Sequence, residues 1–237
     1  MLQLCDSAKP SATLLAVQTN ITLLIATRND HKVGEIRAIL GEQFRYLTLK
    51  DFPDAPPVIE DADTFAGNAT KKAVELARWL GEMRSEECRV QSGFVLADDS
   101  GLEVDALGGK PGVHSARFAS LDSGKPGNST DAENNAKLLR LLHDVPENKR
   151  TARFRCVIAL TPINIQPSTF NPQHFDGTCE GRIDCSPSGN GGFGYDPLFI
   201  PSGYEVSFAE LGEDVKNNLS HRAKALEGLQ TFLRGKL

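Results

Sequence analysis

Apolar and polar positions follow two rhythms along this chain, one of strands and one of helices. Residues 21–26, ITLLIA, are a short apolar run rich in β-branched side chains, which predicts a buried strand. The polar loop TRNDHK (27–32) follows. Val33, Ile36, Ile39 and Leu40 then recur at helical spacing up to a stop at Gly41. FRYLTL (44–49) alternates and predicts a second strand. The Pro- and Asp-rich stretch 51–63 reads as a loop. A helix capped by Asp63 or Thr64 comes next, with Phe65, Ala69, Ala73, Leu76, Ala77 and Leu80 on one face. GFVLAD (93–98) predicts a strand that ends at Asp98 and Asp99. DAENNAKLLRLLHDV (131–145) predicts a helix with Asp131 as N-cap and Pro146 past its end. ARFRCVIAL (152–160) reads as a strand, 161–175 as a hairpin excursion, and FDGTCEGRID (175–184) as the return strand. A glycine-rich loop then leads into a short strand, and SHRAKALEGLQTFLRGKL (220–237) closes the chain as an amphipathic helix.

Strands alternating with helices predict an α/β fold with a mixed sheet. No repeat or linker divides the chain, so a flexible leader over 1–20 and a single domain over 21–237 are expected.

Composition narrows the function. The 237 residues are 24% charged and 40% hydrophobic, an ordinary soluble balance, and the net charge is −5. An acidic chain argues against a nucleic acid polymer or a membrane surface as partner, though one basic pocket remains compatible with it. There is no 18-residue apolar run to span a bilayer, and the leader lacks the basic start of a secretory signal. The 5 cysteines are irregularly spaced with no CxxC, which predicts free buried thiols, no structural zinc and a reduced, cytoplasmic setting.

Candidate chemistry gathers in separate segments. TRNDHK sits where a strand hands over to a helix, a place that favours anions. Thr27, Asn29 and Lys32 add a hydroxyl, an amide and a cation suited to phosphate. Asp98 and Asp99, with Glu60, Asp61, Asp63, Glu103 and Asp105 as further oxygen donors, suit Mg²⁺ or deprotonation of a water. SGNGGFGYDPLF (188–199) lets backbone approach a planar ligand, with one of Phe193 and Tyr195 free to stack on a base and the other to enter the core. Lys216, His221 and Arg222 cluster where the last helix begins, with Ser220 as N-cap. Each segment has a plainer reading: a capped polar turn, an Asx-turn, a turn with two core aromatics, a structural histidine. Together they suit a Mg²⁺-dependent nucleotide enzyme.

At this point the chain resembles the inosine triphosphate pyrophosphatases, the noncanonical purine NTP pyrophosphatases. The resemblance rests on TRNDHK-x2-E (27–35), DTFAGNATKKA (63–73), LADDSGLEVDALGGKPGVHSARFA (96–119), NGGFGYDPLF (190–199) and SFAELGEDVKNNLSHRAKAL (207–226), in family order. It implies a long, curved mixed sheet with flanking helices, forming two lobes around a central cleft. It implies Mg²⁺-dependent hydrolysis of ITP, dITP and XTP to the monophosphate and pyrophosphate, by a homodimer. By the same resemblance, Thr27, Arg28, Asn29, Asp30, His31 and Lys32 would bind the triphosphate. Lys72 would reach a phosphate and Ser100 would touch substrate. Asp99 would be the catalytic carboxylate, acting as base or metal ligand or both. Phe193, Gly194, Tyr195 and Asp196 would frame the base, and Lys216, His221 and Arg222 would complete the pocket. The second metal ligand would be Glu60, with Asp61 competing for the place. The family usually has Gly after Thr in the first loop, where this chain has Arg28, a side chain that would either reach the phosphates or point to solvent. A different class, a nucleotide sensor without catalysis, would be marked by loss of Asp99, Lys32 or His221, and all are present.

Overall fold

The computed structural model describes residues 21–83, 90, 93–122, 124, 126–163 and 171–235. The expected leader, 1–20, and the tip of the expected hairpin excursion, 164–170, lie outside them.

A six-stranded mixed sheet runs in the order β2-β1-β3-β4-β5-β6. β1 (Thr22–Ile25) is parallel to β2 (Arg45–Thr48) and to β3 (Phe94–Val104). β4 (Thr151–Pro162), β5 (Gln173–Ile183) and β6 (Phe199–Pro201) continue it antiparallel. The first connection is the helix α1 (Asp30–Leu40), capped by the Asn29 side chain and ended at Gly41. α2 (Phe65–Glu82) is capped by Thr64, α3 spans Asp131–Leu141, and α6 (His221–Arg234) is capped by Ser220.

Two expectations are corrected at the ends of elements. α3 is capped by Thr130 in a full capping box with Glu133, so Asp131 is its first helical residue. Two short helices, α4 (Phe208–Leu211) and α5 (Glu213–Leu219), precede α6. Lys216 therefore belongs to α5 and not to the helix of His221 and Arg222.

The larger correction concerns β3, which does not end at Asp98–Asp99 but runs on to Val104. Period-2 alternation along it sorts the core into layers. Val95 and Ala97 face Ala69, Ala73, Leu76, Ala77 and Leu80 of α2. Leu96 faces the other way, with Leu23, Ile25, Ile158, Ile36 of α1 and Leu226 and Leu229 of α6. Past the aspartates, Leu102 and Val104 join a third cluster with Phe154, Leu138, Phe199 and Phe208. The stretch Asp98–Gly101 is thus the polar seam between apolar clusters on one continuous strand.

Close backbone approach fixes what surrounds that seam. A Cβ on Gly177 of β5 would lie 2.0 Å from the His221 carbonyl oxygen, so only glycine lets the first turn of α6 rest on the sheet. A Cβ on Gly101 would lie 2.4 Å from Ser115 Oγ, which accepts from the Leu102 N–H at 2.9 Å. That contact seats the 3₁₀ turn Gly112–Arg117 against β3. Among the described residues no helix is long and apolar enough to cross a membrane. Cys156 and Cys179 are buried and free, as expected, whereas Cys185 is free but exposed.

Candidate active site

Two joined cavities of about 720 and 220 Å³ open at the seam, sharing Thr27, Asn29, Glu60, Lys72 and Phe193 among their walls. Every residue that the resemblance places in the site, Asp61 apart, lines one or both, whereas Asp98, Asp63, Glu103 and Asp105 line neither. Thr27, Arg28, Asn29, Asp30 and His31 line the larger, and Lys32 the smaller. Asp99, Ser100, Phe193, Gly194, Tyr195, Asp196, Lys216, His221 and Arg222 line the smaller, with Glu60 and Lys72 common to both.

Alternation on β3 turns the adjacent aspartates to opposite faces. Asp98 points to the α1/α6 face and is fully enclosed. It pairs with Lys32 of α1 and, at 3.2 Å, with Arg222 Nε of α6. It also accepts from Cys156 Sγ at 3.0 Å and from Ser100 Oγ at 3.3 Å. Burial alone would raise its pKa, but Arg222 and Lys32 outweigh that and hold the carboxyl well below the usual carboxylate range. A buried carboxylate so paired is stable only while its cations stay, so Asp98 fixes where Lys32 and Arg222 stand.

Asp99 points to the α2 face. Its Oδ2 accepts from Asn68 Nδ2 at 3.1 Å, and its Oδ1 lies 3.4 Å from Lys72 Nζ. Lys72, one turn after Asn68 on α2, also pairs with Glu60 at 2.9 Å and donates to the Asp98 carbonyl at 2.7 Å. Burial, reinforced by the Glu60 and Asp98 charges, pushes the Asp99 carboxyl up to about 6 against the pull of Lys72 and Lys32. Glu60 goes the other way: burial raises it, but Lys72 dominates and lowers it. Glu60 and Asp61 stand in different surroundings. Glu60 faces Lys72 in the cavity, whereas Asp61 is exposed and pairs with Lys71 at 2.6 Å.

The wall expected to frame the base draws on α1, the glycine-rich loop, α5 and α6. Asp196, buried, accepts from Lys216 Nζ at 2.5 Å and from the Phe193 N–H at 2.8 Å. Glu35, which the sequence reading left without a role, pairs with Lys216 at 2.7 Å and with Arg222. Burial raises the Glu35 carboxyl, but those cations win and lower it. Tyr195 is the aromatic that enters the core, its hydroxyl donating to the Ser115 carbonyl at 2.9 Å. Phe193 stays in the cavity, stacked on His31 at 5.2 Å with Lys216 Nζ 4.4 Å from its centroid. His221 stacks on Phe154 at 4.8 Å. Burial and the neighbouring Arg222 and Lys216 charges keep it well below the usual histidine value, so it is neutral. Its Nδ1 is buried without a hydrogen-bond partner.

Asn68 was missed as well. It sits between Asp99 and the Ala62 N–H, which it accepts at 2.9 Å. It therefore ties the catalytic candidate to the loop that carries Glu60. A buried asparagine on an otherwise apolar helix face is the sequence signal that could have found it.

The Ham1 family model matches residues 23–232. The chain belongs to the Ham1 family. A "dITP/XTP pyrophosphatase" of Geobacter sulfurreducens is 49% identical over 212 residues, covering 89% of this chain and 96% of its own. One of Shouchella clausii is 44% identical over 213 residues, with 90% and 96% covered. Among solved structures, the Staphylococcus aureus Ham1 protein matches with a TM-score of 0.73 at 32% identity, covering 91% of this chain and 100% of its own. This Ham1 chain therefore has the family expected from its motifs and a mixed α/β sheet like that of its structural neighbours.

Proposed function

We propose that this Ham1 chain hydrolyses noncanonical purine nucleoside triphosphates, ITP, dITP and XTP, to the monophosphate and pyrophosphate, with Mg²⁺. The observation that carries the reading is the meeting of Asp99 and Glu60 at Lys72, in a cavity whose other walls hold Lys32, Phe193 and Arg222.

Glu60 and Asp99 are the residues that would hold the ion. The fit rests on their chemistry: both offer oxygen only, and a cation would offset the burial and the neighbouring Glu60 and Asp98 charges that raise Asp99. Among the described residues no group of three or more His, Cys, Asp or Glu side chains converges on one point. Mg²⁺ typically takes one or two carboxylates and completes its shell with water and substrate phosphates. The ion supplies charge neutralisation on the phosphates and a more acidic water.

The chain's own residues supply the rest. The N-terminus of α1, opened by Thr27 and Asn29, presents backbone N–H groups to phosphate oxygens. Lys32 and Lys72 oppose charge that develops on the departing pyrophosphate. Asp99 accepts the proton of the water that attacks the α-phosphorus, and the bond to the bridging α–β oxygen breaks. Phe193 stacks on the base. A donor at the His221–Arg222 turn meets the purine O6, so the amine of ATP is left mispaired at a cost of about 1–3 kcal/mol. Assembly as a homodimer and action in the cytoplasm complete this reading, and sedimentation tests the first.

Hydrolysis of ITP in ¹⁸O-water tests the bond cleaved. The reading predicts the label in IMP and none in pyrophosphate. Label in a released orthophosphate, with IDP as coproduct, would overturn it.

A further inference from the structure

Arg117 stands in the same cavity, at the end of the 3₁₀ turn that Ser115 seats against β3. The cations deepest in the site are already balanced. Lys32 and Arg222 share Asp98, Lys72 meets Glu60 and Asp99, and Lys216 meets Glu35 and Asp196. Among the described residues Arg117 has no carboxylate partner. Its Nη2 donates instead to the carbonyl oxygen of Glu60, at 3.0 Å. Arg28 does the same at the other end of that loop, with Nη2 3.1 Å from the Ala55 carbonyl. A guanidinium has five N–H donors in a planar fork, so one carbonyl leaves most of its donors and all of its charge unspent. A triphosphate carries more negative charge than a single divalent ion cancels, and paired lysines meet it only by weakening their carboxylate contacts.

We infer that Arg117 is a phosphate-binding residue of this site, and that its hold on the Glu60 carbonyl ties the position of that carboxylate to phosphate occupancy. The inference rests on the nucleotide reading above. It adds a residue that the phosphate loop and the base-side motif do not contain. One fork joins the phosphate fork–oxygen contact to the backbone of a proposed metal ligand.

The test measures binding, without turnover, of inosine 5′-(α,β-methylene)triphosphate, of pyrophosphate and of inosine, by calorimetry with and without Mg²⁺. Arg117→Gln keeps an amide donor for the Glu60 carbonyl and removes the charge. Arg117→Lys keeps the charge and loses the fork. The expected result for Arg117→Gln is a roughly ten- to hundredfold weaker affinity for the triphosphate analogue and for pyrophosphate, the range for a hydrogen bond to a charged group. Inosine affinity and thermal stability should be unchanged, and Arg117→Lys should recover part of the loss. Equal affinity of wild type and Arg117→Gln for the analogue would overturn the inference, as would a matching loss for inosine. Failure of the wild type to bind the analogue at all would instead overturn the nucleotide reading itself.

Discussion

Asp98 and Asp99 are neighbours in sequence and opposites in space: the first faces Lys32 and Arg222, the second faces Asn68 and Lys72. One strand thus carries a paired, enclosed anion and the proposed catalytic one side by side. Their substitutions should separate. Asp99→Asn should lower kcat by about a hundredfold to ten-thousandfold, the range for loss of a general base, with thermal stability kept or raised. Asp98→Ala leaves Lys32 and Arg222 buried without their anion, and should cost about 3–5 kcal/mol of stability. Denaturant melts beside steady-state rates would show both. A stable Asp98→Ala protein would contradict the division of roles.

His221 sets a pH dependence of stability. It is buried and neutral, with Arg222, Lys216 and Lys32 disfavouring its charge and Asp98 only partly offsetting them. The unfolded chain protonates it near pH 6.5, so acid favours unfolding. Its contribution is full above about pH 6.5 and is lost as pH falls below that, at up to about 1.4 kcal/mol per pH unit. The carboxylate of Asp98, held low, adds its loss only at more acidic pH. Urea melts from pH 8 to 5 should slope accordingly, and His221→Gln should flatten the upper part of the curve. A parallel curve for the variant would refute the assignment.

Gly177 is the seat of α6. Gly177→Ala puts a methyl group against the His221 carbonyl oxygen and the Ala225 amide nitrogen, 2.0 and 2.6 Å from the new Cβ. Overpacking of this kind costs about 1–3 kcal/mol. The displaced turn carries His221 and Arg222, so nucleotide affinity should fall together with stability. Unchanged binding in a destabilised Gly177→Ala protein would show that the turn does not place the base.

The aromatics of the glycine-rich loop should also part company. Phe193→Ala should weaken nucleotide binding by about 1–3 kcal/mol, the worth of one base–aromatic stack, with little change in melting. Tyr195→Phe leaves the buried Ser115 carbonyl without its donor and should lower stability by about 1–3 kcal/mol. Calorimetric titrations and thermal melts of the two variants would show whether the effects cross over.

Much of this was legible in the sequence, and the misses have physical causes. β1, α1 and α2 were readable because β1 is an apolar run and each helix carries an apolar stripe at helical spacing, which are local signals. The end of β3 was misread because Asp-Asp-Ser-Gly looks like a turn. It stays a strand because Lys32 and Arg222, distant in sequence, neutralise Asp98 there. α4 and α5 are too short to show a helical period. The motifs could be picked out because their spacing survives in the sequence. Asn68, Glu35 and Arg117 lie inside those motifs but carried no role there, since their contacts with the Asp99 carboxylate, the Arg222 and Lys216 cations, and the Glu60 carbonyl are ones only the fold brings near.

The most direct test of the central claim is pyrophosphate release from ITP, dITP, XTP, GTP and ATP, each with and without Mg²⁺. The predicted result is strong, Mg²⁺-dependent release from ITP, dITP and XTP, with little from GTP or ATP. Equal release from all five would contradict the role given to the His221–Arg222 turn, and no release from any would contradict the enzyme reading as a whole.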